Sequence, residues 1–284
     1  MPHTRTQIVP PLNGTLLIFG GVYSNLQALK RLKEIADEHQ IHRTNIICTG
    51  DVVGYCAEPD ESIRFVKAWG IHCIAGNVEI QLREGEVDCG CNFEEGSRCA
   101  GFSLQWYPYA YSQMSGEALE WMQALPHHIR FEYGDKQCLV VHGSYFEVAE
   151  FIFGSTPWEH KQRNFDAAKV DVILAGHSGL PFHHIQDGKM WLNAGVIGMP
   201  ANDGTRRVWY MLMNEGDSQQ SLQFEHKAFE YNHTLAFQKM QEAQLPCEYA
   251  NTLLSGLWDN CEILPPFETQ QQGIHIAFDQ RLSP

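Results

Sequence analysis

Four polar residues of this chain sit at the ends of apolar runs, each beside a glycine: Asp51 after IICTG, Asn77 after HCIAG, His142 after CLVV and His177 after VILAG. One carboxylate oxygen, one amide oxygen and two imidazoles make a ligand set for a divalent transition ion. Zn, Mn, Fe and Co all suit it, and ligand type does not choose among them. Taken singly, each residue has a plainer reading, since a strand-end Asp or Asn is ordinarily a turn former or cap and a lone His is ordinarily structural. Four at equivalent strand ends point to one pocket.

A parallel sheet would bring them together. TLLIFG (Thr15 to Gly20) is a short apolar run, and SNLQALKRLKEIADEH follows with Leu26, Leu29, Leu32 and Ile35 at helical spacing behind a cap at Ser24 or Asn25. NIICTG, the helix DESIRFVKAWG ending on Gly70, and the strand HCIAGN repeat the unit. Strands alternating with helices imply an α/β core whose active edge lies at the strand C-termini. A Gly-, Glu- and Cys-rich loop from Glu84 to Ala100 interrupts the pattern. Further on, IRFEY, QCLVVHG and DVILAGHS read as strands, HHIQDGKMWLNAG as a hairpin turned at Asp187-Gly188, and RRVWYMLM as a strand expected to pair beside that hairpin. After Asn214 the style changes to a strand (SLQFEHKAF), a helix (TLAFQKMQEAQ) and a Pro-rich tail. The expected organisation is a main domain over 1–214 and an α+β extension over 215–284 packed on it.

Composition narrows the function classes. With 284 residues, 44% of them hydrophobic, the chain can bury a large core. A formal net charge of -14 argues against binding a nucleic-acid duplex or an anionic membrane, either of which needs a basic face. No apolar run reaches the roughly 18 residues of a spanning helix, and the start MPHTRTQIVPPLNG lacks the apolar segment of a signal peptide. The expected location is cytoplasmic. Nine cysteines, an odd number scattered through a chain of ordinary size, read as reduced thiols, with Cys48, Cys73 and Cys138 in apolar runs as small core residues.

The motifs GDVVGY (Gly50 to Tyr55), GNVE (Gly76 to Glu79), VVHGS (Val140 to Ser144), GHSGLPF (Gly176 to Phe182) and NAGVIGMPANDG (Asn193 to Gly204) stand in the order found in calcineurin-like metallophosphoesterases. The chain resembles that superfamily, and within it the small bacterial phosphodiesterase-like branch, over roughly Thr15 to Met213. The resemblance implies a four-layer sandwich of two mixed β-sheets flanked by helices, with the metal site at the strand ends. It also implies that one metal is held by Asp51, Asn77, His142 and His177, and that a second would need the D-x-H motif and the last His of G-H-x-H.

Those further ligands are absent. Gly21 and Tyr23 stand where D-x-H belongs, Gly179 replaces the last His, and Val78 replaces the His of G-N-H-E that resembles a catalytic acid. One surviving site implies one metal per chain. Cys89 and Cys91 at C-x-C spacing, with Cys99 beyond, are candidates to rebuild the lost site, Asp88 a weaker one; the alternative for these thiols is packing or exposure. Tyr23 is expected to fill the vacated volume with its hydroxyl bonded to Asp51 or a water, because neutral Tyr is a poor ligand for Zn, and Gly21 to permit a tight turn. His183 and His184 should point to opposite faces of a strand, His127 and His128 should be solvated, and WYPYAYS should be a packed loop and helix start. LWDNCEILPP (Leu257 to Pro266) reads as a tail that docks on the body or on a second subunit.

The expected function is therefore a divergent metal-dependent phosphoric-ester hydrolase acting on a small phosphomonoester, phosphodiester or nucleotide. Two other readings stand beside it. One is a non-catalytic binding or regulatory relative; the other is a site rebuilt with thiolates of the Cys loop for different metallochemistry. A homodimer is compatible with the apolar tail, and Arg83, Arg98, Arg206 and Arg207 are the cations available to an anionic ligand.

Overall fold

The run Leu16–Phe19 is apolar and buried at every position, as a strand covered on both faces must be. Leu16 and Ile18 enter one core, Leu17 and Phe19 another, following the period of two along a strand. The same division recurs in the strands beside and across from it, and this makes the layers. A computed structural model of the chain describes residues 5–216 and 222–278.

Among the described residues there are two mixed sheets. One has the order β1 (Thr6–Ile8), β5 (His128–Tyr133), β6 (Lys136–Val140), β7 (Val172–Ala175), β9 (Lys189–Ala194) and β8 (Pro181–Gln186). The other runs β11 (Leu222–Phe229), β10 (Val208–Glu215), β2 (Leu16–Phe19), β3 (Ile46–Cys48) and β4 (His72–Cys73). Ile18, Ile47, Val140, Leu174 and Met211 fill the space between them. Helices α1 (Leu26–Glu38) and α2 (Pro59–Trp69) cover the outer face of the five-stranded sheet through Leu29, Leu32, Ile63 and Val66. Helix α6 (Trp158–Ala168) covers the six-stranded one with Phe165 against Ile173 and Trp191. The parallel neighbours β2, β3 and β4 in one sheet and β6 and β7 in the other carry their C-terminal ends to one edge.

Several expectations change. RRVWYMLM does not pair beside the Asp187-Gly188 hairpin; β10 lies antiparallel to β2, with Met211 opposite Ile18, and joins β11 on its other side. Its run of buried residues from Val208 to Met213 suits a position covered on both faces. WYPYAYS lies inside α4 (Arg98–Gln113), which continues through Pro108. The carbonyl four residues earlier belongs to Leu104, which is exposed, so water can satisfy the group that Pro108 leaves free. His128 is buried: it opens β5, pairs with Thr6 of β1 and stacks on Tyr145. The strand β1 was not visible in the sequence because its residues are exposed and show no apolar alternation. Ser221, the first residue read into SLQFEHKAF, and the ends 1–4 and 279–284 lie outside the described residues.

Beyond β10 the chain returns to the main body. Strand β11 extends the five-stranded sheet. Asn25, the N-cap of α1, donates to the Tyr231 hydroxyl and the Gly198 carbonyl while accepting from Ala28. In α7 (His233–Glu242), Lys239 pairs with Glu58, and in α8 (Cys247–Ser255), Tyr249 packs on Tyr55 and Phe102. His226 of β11 is buried between His183 and Phe278, its ring 4.2 Å from that of Phe278, and neither of its nitrogens has a hydrogen-bond partner among the described residues.

Burial, with His183 adding to it, lowers the His226 pKa to about 3. Below pH 6.5 the unfolded chain takes up a proton that the folded chain refuses, so this residue removes stability as pH falls from 6.5 towards 3. At pH 5 the loss is about 2 kcal/mol. His226→Phe keeps the volume and removes the titration. Thermal melts should therefore show the variant gaining on the parent much more at pH 5 than at pH 7.5, and an equal shift at both pH values would contradict the burial argument.

Candidate metal centre

Each sequence-expected ligand of the surviving site occupies the first turn after a strand. Asp51 follows β3, Asn77 opens α3 (Asn77–Glu84) after β4, His142 follows β6 and His177 follows β7. Asp51 and His177 adopt positive φ, 54° and 60°, a conformation that non-glycine residues hold only when their surroundings enforce it. The enforcement is close packing. An added Cβ at Gly76 would lie 2.1 Å from Asp51 Oδ1, and one at Gly50 would lie 2.9 Å from His142 Nδ1. The glycines beside the ligands thus give the side chains room to converge.

They converge on His142 Nε2. Asn77 Oδ1 lies 3.0 Å away, Asp51 Oδ2 3.1 Å and His177 Nδ1 3.2 Å. His142 Nδ1 is 2.7 Å from the Thr49 carbonyl, which can only accept, so Nδ1 carries a proton and Nε2 of the neutral ring presents a lone pair. Asp51 Oδ2, Asn77 Oδ1 and His142 Nε2 therefore face one another as lone-pair atoms, and His177 Nδ1 joins them in the tautomer that carries its proton on Nε2. A cation is what such a group fits. Ligands at about 2.0–2.2 Å in a tetrahedron are about 3.3–3.6 Å apart, close to the spacings found here, and the Asp51, His142 and His177 ligand atoms all lie within 4.8 Å of one another.

The proton is the competing occupant. Burial works against charging His142, but the Asp51 carboxylate and the Thr49 carbonyl outweigh it and raise the pKa. At His177 burial prevails, with His142 adding to it, and the pKa falls to about 3. His177 therefore stays neutral, as a metal ligand must. Phe151 stacks on it at 4.2 Å.

Asn77 is oriented by the Cys-rich loop. Its Nδ2 donates to the Cys89 carbonyl at 2.8 Å and contacts Cys91 Sγ at 3.3 Å, which turns Oδ1 towards His142. Cys89 and Cys91 correct the expectation of reduced thiols: with their Cα atoms 5.4 Å apart in the loop they are joined to each other as a disulfide, and both are buried. Cys99 is also buried, with its thiol on Asn260 Oδ1. Asp88 receives the Gly90 N–H in the exposed part of the loop.

Glu79 was not assigned a role from sequence, although it stands within GNVE. It is fully buried, and its carboxylate accepts the backbone N–H groups of Asp51, Val53 and Gly76 at 2.8–2.9 Å. It is the N3 residue of α3 reaching back to the N-cap, half of a capping box, while also tying down the Asp51 turn. Burial and the nearby Asp51 charge raise its pKa to about 7 against the pull of those N–H donors. The glutamate three residues after the N-cap was the available signal.

The space beside Gly21 and Gly179, where the resemblance expects a second site, is filled. The Tyr23 ring lies directly over Gly21, where an added Cβ would be 2.5 Å from Cε1 and Cζ. Gly21 is thus required by the ring and not by a left-handed turn; the positive φ belongs to Tyr23 and Ser24. The contact between Tyr23 and Asp51 is through the backbone, Tyr23 N–H to the Asp51 carbonyl at 3.1 Å, and the ring packs edge-on against Tyr55 at 4.7 Å. At the other lost ligand, Gly179 has φ +78°, and Trp258 of the tail lies 3.3 Å from where its Cβ would be. Trp258 is held there by its indole N–H on the Pro200 carbonyl and its backbone N–H on Asn202. Aromatic rings thus occupy the space beside both substituted glycines.

The candidate arginines are engaged elsewhere. Arg83 bonds His127 and the carbonyls of Met122 and Leu125, Arg98 holds Asp259, Arg206 the Leu254 carbonyl and Arg207 Asp203.

Two mixed sheets flanked by helices, with groups that could hold a metal ion at converging strand ends, make an α/β sandwich. The profile described as the calcineurin-like phosphoesterase superfamily domain matches residues 16–217, and the chain belongs to this superfamily, a family of metal-dependent phosphoesterases. An uncharacterised protein of Methanocaldococcus jannaschii, MJ0912, is 23% identical over 248 residues, 81% of this chain and 93% of its own. A metallophosphoesterase from Sphaerobacter thermophilus has the same fold with a TM-score of 0.66 at 24% identity, covering 87% of this chain and all of its own. The hypothetical protein PH1004 of Pyrococcus horikoshii OT3 superposes with a TM-score of 0.70 at 16% identity, covering 86% of this chain and 99% of its own. No helix among the described residues is long and apolar enough to cross a membrane.

Proposed function

We propose that this chain is a divergent phosphoric-ester hydrolase working with one divalent transition ion, Zn, Mn, Fe or Co, on Asp51, Asn77, His142 and His177. Its substrate would be a small phosphomonoester, phosphodiester or nucleotide. The observation that carries the reading is the convergence of Asn77 Oδ1, Asp51 Oδ2 and His177 Nδ1 on His142 Nε2 at 3.0–3.2 Å. An ion bound there supplies polarisation of a phosphoryl oxygen and acidifies water. The chain's own residues set the geometry. The Thr49 carbonyl fixes the His142 tautomer, the Cys89 carbonyl aims Asn77, Glu79 anchors the Asp51 turn and Phe151 shields His177. Val78 has no proton to give, so a leaving group of low pKa is favoured, without the roughly 10²–10⁴-fold help of a general acid at that position. The thiolate reading is weakened because Cys89 and Cys91 are bonded to each other.

The test is a series of phosphodiesters whose leaving phenols differ in pKa, assayed after chelation and after re-addition of Mn or Zn. Turnover that needs the metal and rises steeply as the leaving-group pKa falls is the expected result. No metal-dependent turnover with any ester would instead support the non-catalytic binding protein.

A further inference from the structure

A cavity opens directly beside Asp51 and His177, and its lining differs from that of a site built for highly charged phosphates. Its charged lining residues among those described are Asp51 and Asp259, both acidic; no lysine or arginine lines it. Asp259 is neutralised by Arg98, which holds it by two hydrogen bonds of 2.7 and 2.8 Å. A single divalent ion against the Asp51 carboxylate leaves little positive charge for a dianionic monoester or a polyphosphate. It is enough for a phosphodiester, which carries one negative charge.

Much of the rest of the wall is aromatic. Tyr23, Tyr55, Phe93, Phe151, Tyr249 and Trp258 all contribute, the last two from the C-terminal extension. Several of the polar groups between them are already used, while the Tyr23 and Tyr55 hydroxyls have no hydrogen-bond partner among the described residues. Ser178 Oγ accepts from Asn193, the Thr252 hydroxyl donates to the Glu248 carbonyl, Asn260 Oδ1 takes the Glu262 N–H and the Cys99 thiol, and the Trp258 indole N–H is on Pro200. A nucleobase entering here would lose hydrogen bonds to water and recover few, whereas a plain aryl ring would lose none and would meet ring faces and edges.

We infer that the extension makes this cavity a specificity pocket for an aryl group, so that the preferred ligand is a monoanionic phosphodiester bearing a ring without hydrogen-bonding demands, seated against Trp258 with its phosphate towards Asp51 and His177. The inference rests on the hydrolase reading for its phosphate end, while the ring preference stands on the cavity alone.

The experiment separates the two. Binding of diphenyl phosphate, dimethyl phosphate, phenyl phosphate and AMP to the full chain loaded with Mn is measured by titration calorimetry, independently of turnover. Diphenyl phosphate should bind at least tenfold tighter than each of the other three. Trp258→Ala should abolish that preference without changing dimethyl phosphate binding or metal content. Ile263→Trp, placed at a half-buried position of the wall, should fill the cavity and exclude diphenyl phosphate even if Trp258→Ala fails to fold. Equal affinity for diphenyl and dimethyl phosphate, or tighter binding of AMP or phenyl phosphate, would overturn the pocket. Ring-selective binding with no turnover of any ester would leave the pocket standing and overturn the hydrolase reading instead.

Discussion

His142→Ala is expected to release the metal and to lower metal-dependent ester hydrolysis by at least about 10³-fold. The imidazole it removes is the one whose Nε2 lies within 3.2 Å of donor atoms from all three other ligands. Loss of an outer partner that merely orients a ligand already costs about 10–100-fold in affinity or activity, and loss of the ligand itself should cost more. Several kcal/mol of polarisation then disappear from the barrier, at a factor of ten per 1.36 kcal/mol. The fold should survive, because the deletion relieves a crowd of lone pairs and gives up one hydrogen bond, that to the Thr49 carbonyl. Metal analysis, turnover and a thermal melt on the same preparation check this. Tyr23→Phe should leave metal content unchanged, since the hydroxyl is not a ligand; a variant that lost the ion would return Tyr23 to the ligand set.

Gly21 and Tyr23 should behave as one unit in stability. Gly21→Ala places a methyl 2.5 Å from two ring carbons of Tyr23, an overpacking that costs about 1–3 kcal/mol. Tyr23→Ala empties a buried site packed against Tyr55 and should cost about 3–5 kcal/mol. In the double variant the clash is gone, so denaturant midpoints should show a total smaller than the sum by about 1–2 kcal/mol. Additive losses would mean that the ring does not exclude the Gly21 side chain. The same geometry explains why restoring a second metal site by single substitutions should fail. Gly21→Asp meets the Tyr23 ring, and Gly179→His meets Trp258 from a backbone at φ +78°.

The clustering of the candidate ligands was legible because each follows an apolar strand within its own short motif, and a parallel sheet makes strand ends meet whatever the intervening helices contain. Asp51, Asn77, His142 and His177 needed only that rule to be placed together. The filling of the lost site was not legible in the same way. That Tyr23 covers Gly21 could be suspected from adjacency, but Trp258 reaches Gly179 across 79 positions of sequence, and no local pattern encodes such a contact. Glu79 was overlooked for a different reason: its partners are backbone N–H groups, which leave no trace in side-chain identities. The position of β10 was misread because adjacency in sequence favours the hairpin it follows, whereas its run of buried residues from Val208 to Met213 suits a place beside β2.

The central claim is that the family's paired metal centre has become a single one. The most direct test is the number of metal equivalents per chain after saturation with Mn or Zn and removal of excess, measured by elemental analysis on protein purified without chelator or affinity-tag metal. One equivalent, absent from His142→Ala, is the expected result. Two equivalents would mean that Gly21, Tyr23 and Gly179 do not close the second site, and none would remove the metal centre altogether.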